Sequence, residues 1–136
     1  VLIMAAAVAD FRPASPADDK IKKNAGLGEI RLERTKDILR EVAQFRQVGG
    51  WPRLVIGFAA ESQDLLENAR AKLESKRLDL IVANNIQAPD AGFEADTNRV
   101  TLLEPGGAAQ ALPLTSKAEV AAIILERAME LLKKGG

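Results

Sequence analysis

The chain has 136 residues, 47% of them hydrophobic, and its 19 basic and 19 acidic residues cancel to a net charge of zero. That composition suits one domain with a real core, excludes disorder, and leaves no global field to attract nucleic acid or anionic lipid. Neither Cys nor His occurs, which excludes disulfides, thiolate metal sites and Cys nucleophiles, removes the usual general base, and leaves oxygen ligands, suited to Mg²⁺, for any metal.

Val1–Val8 has the length and β-branched content of a buried strand. It lacks the charged flank of a signal peptide, and no apolar run approaches the roughly 20 residues that span a membrane, so a cytoplasmic protein is expected. A chain that opens inside a core strand is expected to be a piece of something longer. Ala9–Gly28, with Pro13, Pro16, Gly26 and Gly28, is too rich in breakers for a helix and reads as a long loop, a candidate lid carrying Lys20-Ile21-Lys22-Lys23. Glu29–Glu33 alternates like a half-exposed strand. Thr35 is placed to cap a helix over Lys36–Val48 with Ile38, Leu39, Val42 and Phe45 on one face, stopped by Gly49-Gly50.

Arg53–Phe58 reads as a second core strand. Ser62 is placed to cap a helix across Gln63–Ser75, with Leu65, Leu66, Ala69 and Leu73 inward, and Leu78–Ala83 is a third core strand. Gln87–Thr97 reads as a loop. Arg99–Leu103 and Ala111–Leu114 form a hairpin around Pro105-Gly106-Gly107, and Ser116 caps a last helix over about Lys117–Lys133 with a stripe of Val120, Ile123, Ile124, Ala128 and Leu131. Strands alternating with helices predict a single α/β domain with a mainly parallel sheet, helices on both faces and a late antiparallel hairpin.

Ligands of open α/β sheets bind beyond the carboxyl ends of the strands, which selects Asp10, Phe58, Glu61, Asn84 and Asn85 as rim residues. The Lys20–Lys23 cluster is either a solvated charge run or a loop that closes over phosphates. Lys72 and Lys76 lie four apart, so they share a helix face, either solvated or reaching a polyphosphate as point charges. Phe58, followed by two Ala, is either a core residue at a strand end or a ring that stacks on a base. Asn84-Asn85 is a turn signal or a pair of amides reading a substrate, and Asp96-Thr97-Asn98 reads first as a turn. Neither GxGxxG nor GxxxxGK[ST] is present.

One ordered set of motifs goes further. Ala-Ala-Val-Ala-Asp-Phe-Arg-Pro (6–13), Lys-Ile-Lys-Lys (20–23), Thr-Lys-Asp-Ile-Leu (35–39), Gly-Phe-Ala-Ala-Glu (57–61), Asn-Ala-Arg-x-Lys-Leu-x-x-Lys (68–76), Asp-Leu-Ile-Val-Ala-Asn (79–84) and Phe-x-x-Asp-x-Asn (93–98) together resemble phosphopantothenoylcysteine synthetase. In bacteria that synthetase is usually the C-terminal half of a bifunctional coenzyme A biosynthesis protein. The resemblance implies a Rossmann-like α/β fold and a Mg²⁺-assisted, CTP-dependent ligation of 4′-phosphopantothenate with cysteine through an acyl-cytidylate. FMN is implied only where a decarboxylase half is fused upstream. A homodimer is implied, with Arg12–Lys23 as a region of subunit contact; neither nucleic acid nor membrane is a partner.

By the same resemblance, the backbone at Ala6 and Ala7 and the side chain of Asp10 are nucleotide contacts. Lys20 is the flap lysine that acts on conversion of the acyl-cytidylate. Lys36, Asp37, Ile38 and Leu39 contact CTP through helix-start amides, and Phe58, Lys72 and Lys76 complete the CTP set. Asn84, Asp96 and Asn98 match family motifs without an implied role, and no metal ligand is implied. The family's upstream half, with its Gly-rich first turn and Ser-Ser-Gly-Lys stretch, has no counterpart in these residues. The chain is therefore expected to be the C-terminal portion of a larger synthetase domain. Two other readings stay open: a different nucleotide-binding enzyme on the same scaffold, and a non-catalytic dimerising module.

Overall fold

The computed structural model describes residues 1–16, 19, 29–61, 64–85 and 96–135. They form two compact units, Val1–Ala5 with Leu39–Gly136, and Ala6–Ile38. In chain order the elements are β1 (Leu2–Met4), β2 (Phe11–Pro13), β3 (Leu32–Arg34), α1 (Ile38–Gly49), β4 (Val55–Glu61), α2 (Leu65–Ser75), β5 (Leu80–Asn85), β6 (Thr97–Asn98), β7 (Val100–Leu103), β8 (Gln110–Ala111), β9 (Thr115–Ser116) and α3 (Lys117–Lys134).

The larger unit is built on a sheet in the order β1-β4-β5-β7-β8. β1, β4 and β5 are parallel, and β7 and β8 add an antiparallel edge. Side chains alternate along β4 and β5, so each strand feeds two cores. Val55 and Ala59 with Ile81, Ala83 and Leu103 meet Leu39 of α1 and Ala69 and Leu73 of α2. Leu54 and Ile56 with Leu80, Val82, Val100 and Leu102 meet Val120, Ile124 and Ala128 of α3. Helices on both faces explain why these strands are continuous apolar runs. Full burial of a side chain such as Ile56 or Leu80 contributes about 1.5–3 kcal/mol.

At the amino end of the sheet, Asp79 sits just before β5 and is bonded twice to Val55: its N–H donates to Val55 O at 2.9 Å and its Oδ2 accepts from Val55 N at 2.7 Å. Arg46 of α1 closes on the same carboxylate, Nη1 to Oδ2 at 2.8 Å and Nη2 to Oδ1 at 2.9 Å, and Nη2 also donates to Arg53 O at 2.9 Å. This two-armed pair has the geometry in which an arginine–carboxylate interaction is strongest. Arg46 lies seven residues after Leu39, on the helix face turned toward the sheet. That placement leaves Phe45, expected inward, 71% exposed. Leu66, also expected inward, is exposed, because Leu65, Ala69 and Leu73 already fill the inner stripe of α2.

Other boundaries also move. Val1–Val8, expected to be one central strand, pairs only over Leu2–Met4 and lies at a sheet edge among the described residues. α1 begins at Ile38 rather than Lys36, because the Thr35 hydroxyl is engaged elsewhere, donating to Ala9 O at 2.6 Å. Gly50 then ends the helix at φ 69°, as the Gly pair predicted. α2 starts at Leu65 behind Asp64, whose φ is 48° and whose side chain makes no cap bond; Ser62 lies outside the described residues. β4 runs on through Ala59-Ala60-Glu61, and β5 through Asn84-Asn85.

In the smaller unit, Phe11–Pro13, expected to be irregular, pairs antiparallel with Leu32–Arg34. Pro13 is tolerated because a two-stranded ribbon leaves both outer edges unpaired. Both cross-strand partners of Phe11 and Arg12 are charged. Arg12 Nε meets Glu33 Oε1 at 2.7 Å, and the Arg34 guanidinium lies 5.4 Å from the centre of the Phe11 ring.

The last helix matches its sequence signature. Ser116 Oγ accepts from Glu119 N at 3.2 Å and Glu119 Oε2 accepts from Ser116 N at 3.1 Å, a capping box. Thr97–Asn98, expected to be a turn, instead forms a short antiparallel ribbon with Thr115–Ser116, and Asp96 O accepts from Lys117 N at 2.9 Å.

Two predictions follow from these contacts. A Cβ at Gly57 would sit 2.6 Å from Leu78 Cδ1, and Leu78 is 2% exposed with little room to retreat. Gly57→Ala should lower stability by about 1–3 kcal/mol, read as a shifted urea midpoint with an unchanged slope; an unshifted midpoint would show that Leu78 can move aside. Hydrogen bonds from the Thr115 and Ser116 side chains and the Ser116 backbone lower the Glu119 pKa from the ordinary 4.5 to about 2. A lowered carboxyl pKa stabilises the fold above the unfolded value, and that contribution is lost as pH falls from 4.5 toward 2. An NMR titration of the Glu119 carboxyl should give a midpoint near 2; one in the ordinary carboxylate range would contradict the capping box.

Candidate functional site

Of the predicted residues of the larger unit, Lys72 and Phe58 are brought into direct contact at the edge of β4. Leu54 O accepts from Leu2 N at 2.8 Å, while Val55 O accepts from Asp79 N. Carbonyls of even-numbered β4 residues therefore face β1, and those of odd-numbered residues face β5. β1 stops pairing at Met4, opposite Gly57. The next carbonyl on that side belongs to Phe58, and it is taken by a side chain: Lys72 Nζ donates to Phe58 O at 3.0 Å. An ammonium carries three donors. Lys72 is thus held by one N–H on the first β4 carbonyl past the pairing with β1, and its ammonium has two further donors.

Lys76 follows one turn later, at the C-cap of α2, with its backbone N–H on Lys72 O at 3.0 Å. Both lysines are half-buried. Phe58 is partly buried against the α3-facing core, so its ring belongs in part to the packing. Ala60, two residues on, is exposed on the same face, and its parallel partner is Asn84. Asn84 Oδ1 is shielded from solvent and has no hydrogen-bond partner among the described residues. The sequence marks Asn84 as a rim residue, either a turn signal or an amide that reads a substrate; its unpaired oxygen has no sequence signal. The tie between Lys72 and Phe58 O was equally hidden, since it depends on where β1 stops.

Leu39 is in the core, so only its backbone is open to a ligand. Ala6, Ala7, Asp10, Lys36, Asp37 and Ile38 belong to the smaller unit and are all exposed; Asp10 O accepts from Thr35 N at 3.0 Å. Lys20 and most of the segment expected to be a lid lie outside the described residues. Asn98 Oδ1 accepts from Arg99 N at 3.0 Å, a local turn bond.

Among the described residues, no three acidic side chains converge to hold a metal ion. No described helix is long and apolar enough to cross a membrane. A cavity of about 380 Å³ beside Glu104, Gln110 and Arg127 lies toward the amino end of β5, since Leu103 pairs with Ile81. Its arginine is paired with Glu104 and Glu130.

Residues 1–132 match the family model of the DNA/pantothenate metabolism flavoprotein C-terminal domain. The chain is 44% identical over 136 residues to the coenzyme A biosynthesis bifunctional protein CoaBC of Bacillus subtilis, covering all of this chain and 32% of that protein. It is 39% identical over 132 residues to a cysteine/cysteine sulfinic acid decarboxylase from an unknown prokaryotic organism, covering 97% of this chain and 36% of that one. Among solved structures, the C-terminal domain of a CoaBC protein superimposes with a TM-score of 0.69 at 34% identity, over 98% of this chain and 56% of that one. The chain spans about a third of the length of these two sequence relatives.

Proposed function

The chain belongs to the DNA/pantothenate metabolism flavoprotein C-terminal domain family, and from that premise we propose that it carries the nucleotide-binding rim of a ligase joining 4′-phosphopantothenate to cysteine with CTP. The supporting observation is the ammonium of Lys72, anchored on Phe58 O where β1 leaves the sheet, with Lys76 one turn away. That rim offers cationic donors to a triphosphate. The similarity to CoaBC proteins favours coenzyme A biosynthesis as its setting.

The chemistry suits a chain without Cys or His. A carboxylate is a poor electrophile until one oxygen becomes part of a leaving group. In the proposed reaction the substrate carboxylate attacks the α-phosphorus of CTP, forming an acyl–oxygen–phosphorus link and releasing pyrophosphate. The cysteine amine then attacks the acyl carbon, the carbon–oxygen bond breaks, CMP leaves, and the amine proton is lost to solvent. Each step needs alignment and charge neutralisation, which fixed lysines supply. Mg²⁺ enters with the triphosphate as part of the substrate.

Two experiments test this in the full-length protein. Lys72→Ala and Lys76→Ala should each weaken CTP binding by about 1–3 kcal/mol, the scale of a hydrogen bond to a charged group, measured by titration calorimetry. Unchanged affinity in both would leave the lysines a solvated face. Lys20, assigned to the second step by family resemblance, gives the other test. Lys20→Gln should still release pyrophosphate but form the cysteine amide about 10²–10³ more slowly, so that acyl-cytidylate accumulates and is detected by mass spectrometry. Equal loss of both steps, or normal turnover, would remove Lys20 from that role.

A further inference from the structure

We propose that Asn84 is a specificity-determining residue that reads the exocyclic amino group of the nucleobase; this rests on the nucleotide-binding reading above. The argument starts from an atom the fold leaves unsatisfied. A buried acceptor without a partner costs roughly 1–3 kcal/mol, and such groups are rare enough in folded proteins that each calls for a cause. Asn84 Oδ1 is one, shielded from solvent with no donor on it among the described residues. It sits at the ligand-binding end of the sheet, one pair from the last pair of the β4–β5 ladder.

Its neighbours define the shape of the missing donor. Alternation along the strands puts Asn84 on the face of Leu80 and Val82, which is also the face of Phe58 and Ala60. Phe58 is its diagonal neighbour, Ala60 its direct partner on β4, and Val100 its partner on β7. The amide is thus flanked by an aromatic ring, a methyl group and an isopropyl group. Neither of the two residues paired with Asn84 is charged. Such surroundings accept a flat, apolar body carrying N–H on its edge, and an aromatic amine fits both requirements. Cytosine presents an amino group at the position where uracil presents a carbonyl, so an acceptor there favours CTP over UTP. Exposed Ala60 leaves room on the β4 side, which a larger side chain would fill.

The test compares CTP and UTP binding to the full-length protein by titration calorimetry, in wild type, Asn84→Leu and Asn84→Asp. Wild type should prefer CTP. Asn84→Leu, close in size but unable to accept, should lower the CTP:UTP affinity ratio by about tenfold or more, since a site built to hydrogen-bond one group discriminates strongly against its absence. Asn84→Asp keeps the acceptor and should keep the preference, even where its charge weakens both nucleotides. A second readout separates this from a structural role. Without nucleotide, Asn84→Leu should melt at or above the wild-type temperature, because it removes an unpaired polar group. An unchanged ratio in Asn84→Leu, or a clear drop in its melting temperature, overturns the inference while leaving CTP binding intact. A wild type that binds neither nucleotide overturns the nucleotide reading and this inference with it.

Discussion

The interaction on which the rest of the larger unit depends is the one that sets the β4–β5 register. Asp79 holds Val55 through both its backbone and its carboxylate, and Arg46 grips that carboxylate from α1. A slip of one residue in a sheet with two covered faces would exchange every side chain between cores. Here it would bring Phe58 toward the narrow space under Leu39 and Leu78, and Gly57 toward α3. With the register pinned at the amino end, the carboxyl end is determined six residues away. Phe58, Ala60 and Asn84 share one face, and the carbonyls of the even-numbered β4 residues point to the β1 side.

The two faces are packed to different tolerances. Under α1 and α2, β4 carries Gly57 and Ala59 after Val55, so that Leu78 and Leu39 can press onto the backbone at Gly57. Interiors packed at this density leave no room for a ligand. Under α3 the side chains are larger at the amino end and fall away to exposed Ala60 and half-buried Asn84 at the other. The site follows from a ladder that ends before its neighbours do, and Lys72 takes the acceptor that the missing strand pair leaves behind.

Much of this was legible from pattern alone. The α3 stripe, the Ser116 cap, the Gly50 stop and the hairpin at Gly106 follow from local chemistry, and local chemistry is what a sequence shows directly. The errors share a cause. Phe45 and Leu66 satisfy a helical period but lie off the axis of contact, and only the partner surface decides which edge of an apolar stripe is buried. Thr35 is a good cap whose hydroxyl found a carbonyl 26 residues away in sequence. Val1–Val8 is uniformly apolar, so its composition carries no mark at Met4 where pairing stops. In the site, the spacing of Lys72 and Lys76 was visible, whereas the anchor of Lys72 and the unpaired oxygen of Asn84 arise from long-range pairing.

The same contrast bears on why an unsatisfied amide persists in the fold. Its strand neighbours Val82, Ala83 and Val100 are apolar and buried, and leucine at position 84 would extend the run Leu80-Ile81-Val82-Ala83 without interruption. Folding alone favours that choice, since apolar burial contributes while an unpaired oxygen costs. Local departures from the rules of stability concentrate where a protein does its work. The departure here is a single acceptor, at the end of the most buried strand pair, beside a ring and a methyl group. A ligand that supplies the missing donor recovers the deficit on binding, so part of its affinity is stored in the free protein as the instability of one side chain.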